Sequence, residues 1–141
     1  MTQEEKSLLL KDLCARLPYG IKGIHREQVH IITNMDSNSL YPSIKVDGYD
    51  AWFPVETFKP YLRPMSSMTE EQRDLVEDIS NGWFYINEDG EIYPMERFTD
   101  SCQFEDSILP TFEYLYKEHL DFRGLIEKGL ALEAPEGMYE I

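Results

Sequence analysis

Cys102 and His119 are the pair in this 141-residue chain whose types allow covalent chemistry, a thiol to attack and an imidazole to take its proton. Such a pair needs a third group to orient the imidazole and a donor loop for the oxyanion, and neither is visible in the sequence. The three histidines, His25, His30 and His119, lack the HExxH spacing of a zinc protease. His119 falls on the apolar edge of a helical pattern, where a packing role is enough to explain it. A calcium loop can be counted out around Gly90 as sixth position, with Asn87 third, Asp89 fifth, Ile92 eighth and Glu96 twelfth. Tyr85 then takes the first position, where an aspartate oxygen is required, and Pro94 the tenth, so the stretch reads as a plain turn. Neither GxGxxG nor a phosphate loop occurs. No metal and no cofactor is expected.

Carboxylates are the abundant chemical groups, and their distribution says more than their number. The formal net charge is −14. Residues 1–67 hold eight acids and eight bases; residues 68–141 hold nineteen acids and five bases, so the second block carries the whole imbalance. Such a surface repels phosphates, and direct binding of nucleic acid by that block is not expected. Exposed aromatics add a second kind of contact group. Trp52 falls opposite an apolar strand face and Tyr114 on the polar side of a helix, and both residue types anchor interfaces well.

These groups must be positioned by regular elements, and the sequence marks several. Thr2 followed by Glu5 spells a capping box, with Leu8, Leu9, Leu13 and Leu17 at helical spacing until Pro18 and Gly20. β-branched residues then take over at Val29, Ile31, Ile32 and Thr33. Asp47-Gly48 suggests a two-residue turn pairing Val46 with Tyr49 and Lys45 with Asp50, with Ile44, Val46, Tyr49, Ala51 and Phe53 on one face.

The stretch "KPYLRPMSSMTEEQ", 59–72, reads as a rigid joint: Pro60 and Pro64 stiffen it, and Thr69 with Gln72 spells a second capping box. In the helix that follows, Glu70, Glu71, Asp74, Glu77 and Asp78 share one face and Leu75, Val76 and Ile79 the other. "WFYINEDGEIYPM" is a hairpin. A two-residue Asp89-Gly90 loop would oppose Glu88 to Glu91, so a three-residue loop pairing Ile86 with Ile92 and Tyr85 with Tyr93 is preferred. Ser107 is the expected N-cap of an amphipathic helix with Pro110 in its first turn and a stripe of Ile108, Leu109, Phe112, Leu115, Tyr116 and His119. In the tail, "LALEA" reads as an extended segment able to add a strand to the hairpin.

A chain of this length buries roughly two thirds of its unfolded surface, so a real core is available. Cys14 and Cys102 are too few and too far apart for a disulfide scaffold, the N-terminus does not resemble a secretory signal, and no apolar run reaches a membrane span. A cytoplasmic location and no membrane partner are expected. Two phrases, "KPYLRPMSSMTEEQ" and "FRGLIEKGLALEAPEGMY" at 122–139, together resemble a family of small uncharacterised proteins of gut anaerobic bacteria and their phages and mobile elements. The resemblance covers about a quarter of the chain and implies a phage or mobile-element accessory role, with no catalytic residues to carry over.

The expected fold is α+β. An N-terminal helix and small antiparallel meander, 1–67, precede an acidic helix, hairpin, amphipathic helix and tail, 68–141, as two lobes or one domain. The expected function is a non-enzymatic, intracellular protein-interaction module using an acidic surface. Its contact residues would be Glu70, Glu71, Asp74, Glu77, Asp78, Trp52 and Tyr114, and its partner a basic protein surface. Two other readings are a nucleic-acid mimic that inhibits a host DNA-binding protein, and a small enzyme with a pocket between the two halves.

Overall fold

Thr2 closes the box that the first residues spell. Its hydroxyl accepts from the Glu5 amide at 3.1 Å, and the Glu5 carboxylate accepts from the Thr2 amide at 2.9 Å, satisfying two donors that a helix start leaves open. Helix α1 follows over Gln3–Arg16, and a 3-10 turn over Leu17–Tyr19 ends at Gly20 in the left-handed region. The computed structural model describes residues 1–36, 41–94 and 101–139, apart from the side chains of 94 and 101–107. Helices and a mostly antiparallel sheet make it an α+β protein.

Two units emerge from the contacts: Met1–Leu62 together with Arg123–Ile141, and Arg63–Phe122. The division differs from the expected 1–67 and 68–141 because the tail belongs with the N-terminal elements. It sharpens the charge asymmetry, since Arg63–Phe122 holds fifteen acids against four bases, a net of −11.

In the first unit, strands β1 (Lys22–His25), β2 (Gln28–Asp36), β3 (Ser43–Val46), β4 (Phe53–Pro54), β5 (Phe58–Leu62) and β8 (Leu132–Glu133) form one sheet in the order β4-β3-β2-β1-β5-β8. Leu9 and Leu13 of α1 pack with Ile32, Ile44, Val46, Phe58 and Leu62 in its core. A two-residue loop joins β1 to β2, with Arg26 and Glu27 both left-handed and His25 opposite Gln28. The primed turn matches strand twist, but neither residue advertises it.

Three expectations for this unit need correction. The turn at Asp47-Gly48 forms, with Tyr49 N–H 3.4 Å from the Val46 carbonyl oxygen, yet Val46 does not pair with Tyr49; the ladder sets Ile44 opposite Phe53 and Ser43 opposite Pro54. Asp47 explains why, because its amide donates to the Ile31 carbonyl at 3.0 Å and its carboxylate accepts from the Ile31 amide at 2.8 Å, binding the turn to β2. Lys45 and Asp50 still approach to 3.5 Å as a surface pair, while Tyr49 and Ala51 leave the buried face.

The first part of the joint is instead strand β5, antiparallel to β1 and parallel to β8. Pro60 stands opposite Gly23, where any Cβ would collide with the Phe58 ring and the Lys59 carbonyl. Finally, "LALEA" supplies β8 to β5, not a strand to the hairpin.

The second unit holds helix α2 (Glu70–Ile79), the hairpin β6 (Phe84–Ile86) and β7 (Ile92–Pro94), and helix α3 (Ser101–Lys117). Met68, Val76, Phe84, Ile86, Leu115 and Leu120 form its core. The hairpin has the argued register, Ile86 opposite Ile92 and Tyr85 opposite Tyr93, with Gly90 left-handed. Asn87 fixes the loop by accepting from the Asp89 and Glu91 amides at 3.0 and 2.9 Å.

Helix α3 corrects the sequence reading in three ways. It begins at Ser101, so Ser107 is no N-cap and Pro110 lies inside the helix. Leu109 is 62% exposed while Thr111 is buried, so the packed stripe is rotated from the expected one. His119 lies beyond the helix as a left-handed cap residue: its amide donates to the Tyr116 carbonyl and that of Leu120 to the Leu115 carbonyl, each at 3.0 Å.

Candidate functional site

Thr69 and Gln72 set α2 in place. The Thr69 hydroxyl accepts from the Gln72 amide at 3.2 Å, and Gln72 Oε1 accepts from the Thr69 amide at 3.1 Å and from Arg63 Nη2 at 3.0 Å. Gln72 is buried by this double use, and Val76 and Ser80 follow it at one-turn intervals on the packed side. Ser80 Oγ accepts from the Phe84 amide at 3.1 Å and so holds the hairpin close to the helix end. A buried stripe at 72, 76 and 80 leaves Glu70, Glu71, Asp74, Glu77 and Asp78 exposed. Leu75, expected on the packed face, is 43% exposed among them. The stripe is rotated because the polar anchor Gln72 fixes the buried line.

Part of this face is concave. Glu70, Arg73, Asp74 and Glu77 of α2, with Tyr85, Ile86 and Glu88 of the hairpin, line a cleft of about 200 Å³. Phe84 and Ile86 point into the core, so strand alternation turns Tyr85 outward to the rim, 46% exposed. Arg73 Nη1 donates to the Met68 carbonyl oxygen at 2.8 Å. Among the described residues, Glu70, Asp74, Glu77 and Glu88 have no side-chain hydrogen bond or ion pair, nor do Glu71 and Asp78. Like charges at i, i+3 and i, i+4 each destabilise a helix by about 0.2–0.5 kcal/mol. The sequence marked the five helical acids, but not Glu88, Tyr85 or Arg73, which reach the cleft only through the docking of hairpin on helix.

The two aromatic candidates part company. Trp52 belongs to the first unit and is 49% exposed, with Lys45 Nζ 5.0 Å above its ring. Tyr114 is half-buried against the core of the second unit, and burial, followed by the Glu118 charge, pushes its hydroxyl pKa up. It is a packing residue, not an exposed anchor.

Among the described residues the remaining sequence candidates form no assembled centre. Cys102 lies on α3 but its side chain falls outside the described residues, as does Glu96 of the calcium-like loop. Asn87 of that loop is committed to the turn. Among the described residues no three His, Cys, Asp or Glu side chains group as metal ligands, and no helix is long and apolar enough to cross a membrane.

A feature the sequence did not signal lies on the core-facing side of the first unit's sheet. His25 and His30 have ring centroids 6.0 Å apart; the Phe53 ring lies 4.4 Å from His25 and the Tyr49 ring 5.5 Å from His30. Alternation on paired antiparallel strands puts both imidazoles on one face.

Comparison of the chain with protein-family models, with curated proteins and with solved structures returned no match.

Proposed function

We propose that the chain is a non-enzymatic protein-interaction module whose α2 face and adjoining cleft receive a basic surface of another protein. The observation that carries this reading is the set of exposed carboxylates at 70, 71, 74, 77, 78 and 88, unpaired among the described residues, beside the exposed Leu75 and Tyr85. Arg73 offsets like-charge repulsion along α2 only in part, and a cationic partner would relieve the rest. Leu75 and Tyr85 would add apolar contact beside the charges, the combination that gives an interface both steering and residence time. The cellular setting we propose is intracellular, with an accessory role in a phage or mobile element.

A second reading, mimicry of nucleic acid toward a DNA-binding protein, draws on the same geometry. Glu70, Asp74 and Glu77 rise along one helix edge at intervals of about 6 and 4.5 Å, given 1.5 Å per residue. Retention of binding partners across a salt series tests the shared premise, and competition by duplex DNA separates the two readings. A partner displaced by DNA supports mimicry; one that is salt-sensitive but indifferent to DNA supports the general module.

A further inference from the structure

The paired histidines of the first unit have their protons assigned by their neighbours. His25 Nδ1 lies 3.3 Å from the Thr57 carbonyl oxygen and 3.2 Å from Thr57 Oγ1, whose own proton goes to the Pro54 carbonyl at 2.7 Å. His30 Nδ1 lies 3.1 Å from both the Asp47 carbonyl oxygen and Asp47 Oδ1. All four of these oxygens act as acceptors, so Nδ1 carries the proton in each ring and Nε2 is left with a lone pair. Both Nε2 atoms are buried and without a hydrogen-bond partner. His25 as a whole is only 1% exposed.

We propose that His25 is an acid-triggered latch, which holds residues 49–53 against the sheet while neutral and releases them when Nε2 takes a proton. Protonation would place a charged donor with no acceptor beneath the Phe53 and Tyr49 rings, and burying such a group costs several kcal/mol. The charges facing it worsen the cost. Arg26 from the β1–β2 turn lies 4.7 Å from the Phe53 centroid, and His30 faces His25 from β2. Asp47, the carboxylate of the cluster, is engaged with His30 and the Ile31 amide.

Burial pushes the His25 pKa down, against the Thr57 carbonyl, and the charges of Arg26 and His30 push it further the same way. Its neutral form therefore contributes stability that is present above the unfolded value of about 6.5 and is lost as pH falls through the lower folded value. Asp47 is held separately, its amide donating to the Ile31 carbonyl at 3.0 Å and its carboxylate accepting from the Ile31 amide at 2.8 Å. The Asp47 end of the segment thus stays anchored while the Tyr49–Phe53 lid lifts to let water reach His25. The lid also carries Trp52, so the latch would control the presentation of that exposed indole. This inference is independent of the acidic face of α2.

The test is a nuclear magnetic resonance titration of the full chain from about pH 8 to pH 4.5, following the His25 ring and the amide exchange of residues 49–53 corrected for intrinsic rate. The expected result is a His25 midpoint below about 6.5 and at least a tenfold rise in corrected opening of 49–53 across the same interval, with Ile24 and Ile32 still protected. In His25→Leu the pH-dependent rise should vanish. A His25 midpoint at or above 6.5, unchanged exchange at 49–53 through the titration, or a rise that persists in folded His25→Leu would each overturn the proposal. The wild-type titration decides the matter if that variant does not fold.

Discussion

Asp12 and Arg16 form a fully buried ion pair one turn apart on α1, with Arg16 Nε 2.7 Å from Oδ2 and Nη2 3.2 Å from Oδ1 of the aspartate. The same Oδ1 accepts from Arg123 Nη1 at 2.6 Å, so the carboxylate ties the helix to the first residue of the returning segment. Removing one partner of a buried pair leaves a charge uncompensated, at about 3–5 kcal/mol. Asp12→Ala should lower the unfolding free energy by about that much in urea denaturation. A loss below about 1 kcal/mol, the range of a surface pair, would contradict the buried clamp.

Gly23 permits β1 and β5 to close around the Phe58 ring. Gly23→Ala drives a methyl against that ring and the Lys59 carbonyl. Overpacking of this kind costs about 1–3 kcal/mol. Thermal unfolding should show the loss, and adding Phe58→Leu should recover part of it, because the two changes share one volume. Strict additivity of the two losses would refute the steric account.

Tyr139 holds the tail on the sheet through its hydroxyl, which lies 2.7 Å from the Tyr61 carbonyl, 3.3 Å from the Lys22 carbonyl and 3.1 Å from the Lys22 amide. Tyr139→Phe strands these groups and should cost about 1–3 kcal/mol. Burial pushes the phenol up to about 12, so the neutral form contributes stability that is complete below about pH 10, the unfolded value. That contribution is lost as pH rises toward 12. The variant should lack this part of the alkaline destabilisation, measured as the difference in urea midpoints between wild type and variant from pH 9 to about 11.5. A constant difference would show that the hydroxyl is not buried.

Local grammar in the sequence carried over best where the chain's neighbours in space do not interfere. Both capping boxes and the Ile86–Ile92 register are determined within a few residues, by side chains that bond their own backbone. The misread elements answer to distant partners. Asp47 chose Ile31 over its own hairpin, Pro60 lies in a strand opposite Gly23, and "LALEA" joined β5, its paired residues 71 positions earlier. Arg26 and Glu27 form a primed turn without glycine or asparagine, so turn chemistry gave no signal.

For the candidate surface, periodicity located the five acids of α2, whereas the buried polar anchor Gln72 rotated the stripe and exposed Leu75. Tyr114 falls on the polar side of α3 by helical spacing and yet is half-buried, because what packs beside the helix is not specified by that spacing.

Neutralising the cleft tests the interaction reading most directly. The full chain and its Glu70→Gln, Asp74→Asn, Glu77→Gln triple variant would be used to capture partners from an extract of the native host, at salt from about 50 to 500 mM, a range over which screening lengths fall severalfold. The account predicts a basic partner retained by the wild type, released steeply with salt, and bound at least tenfold more weakly by a triple variant that remains folded. A partner bound equally by both proteins, or no salt-sensitive partner at all, would contradict it.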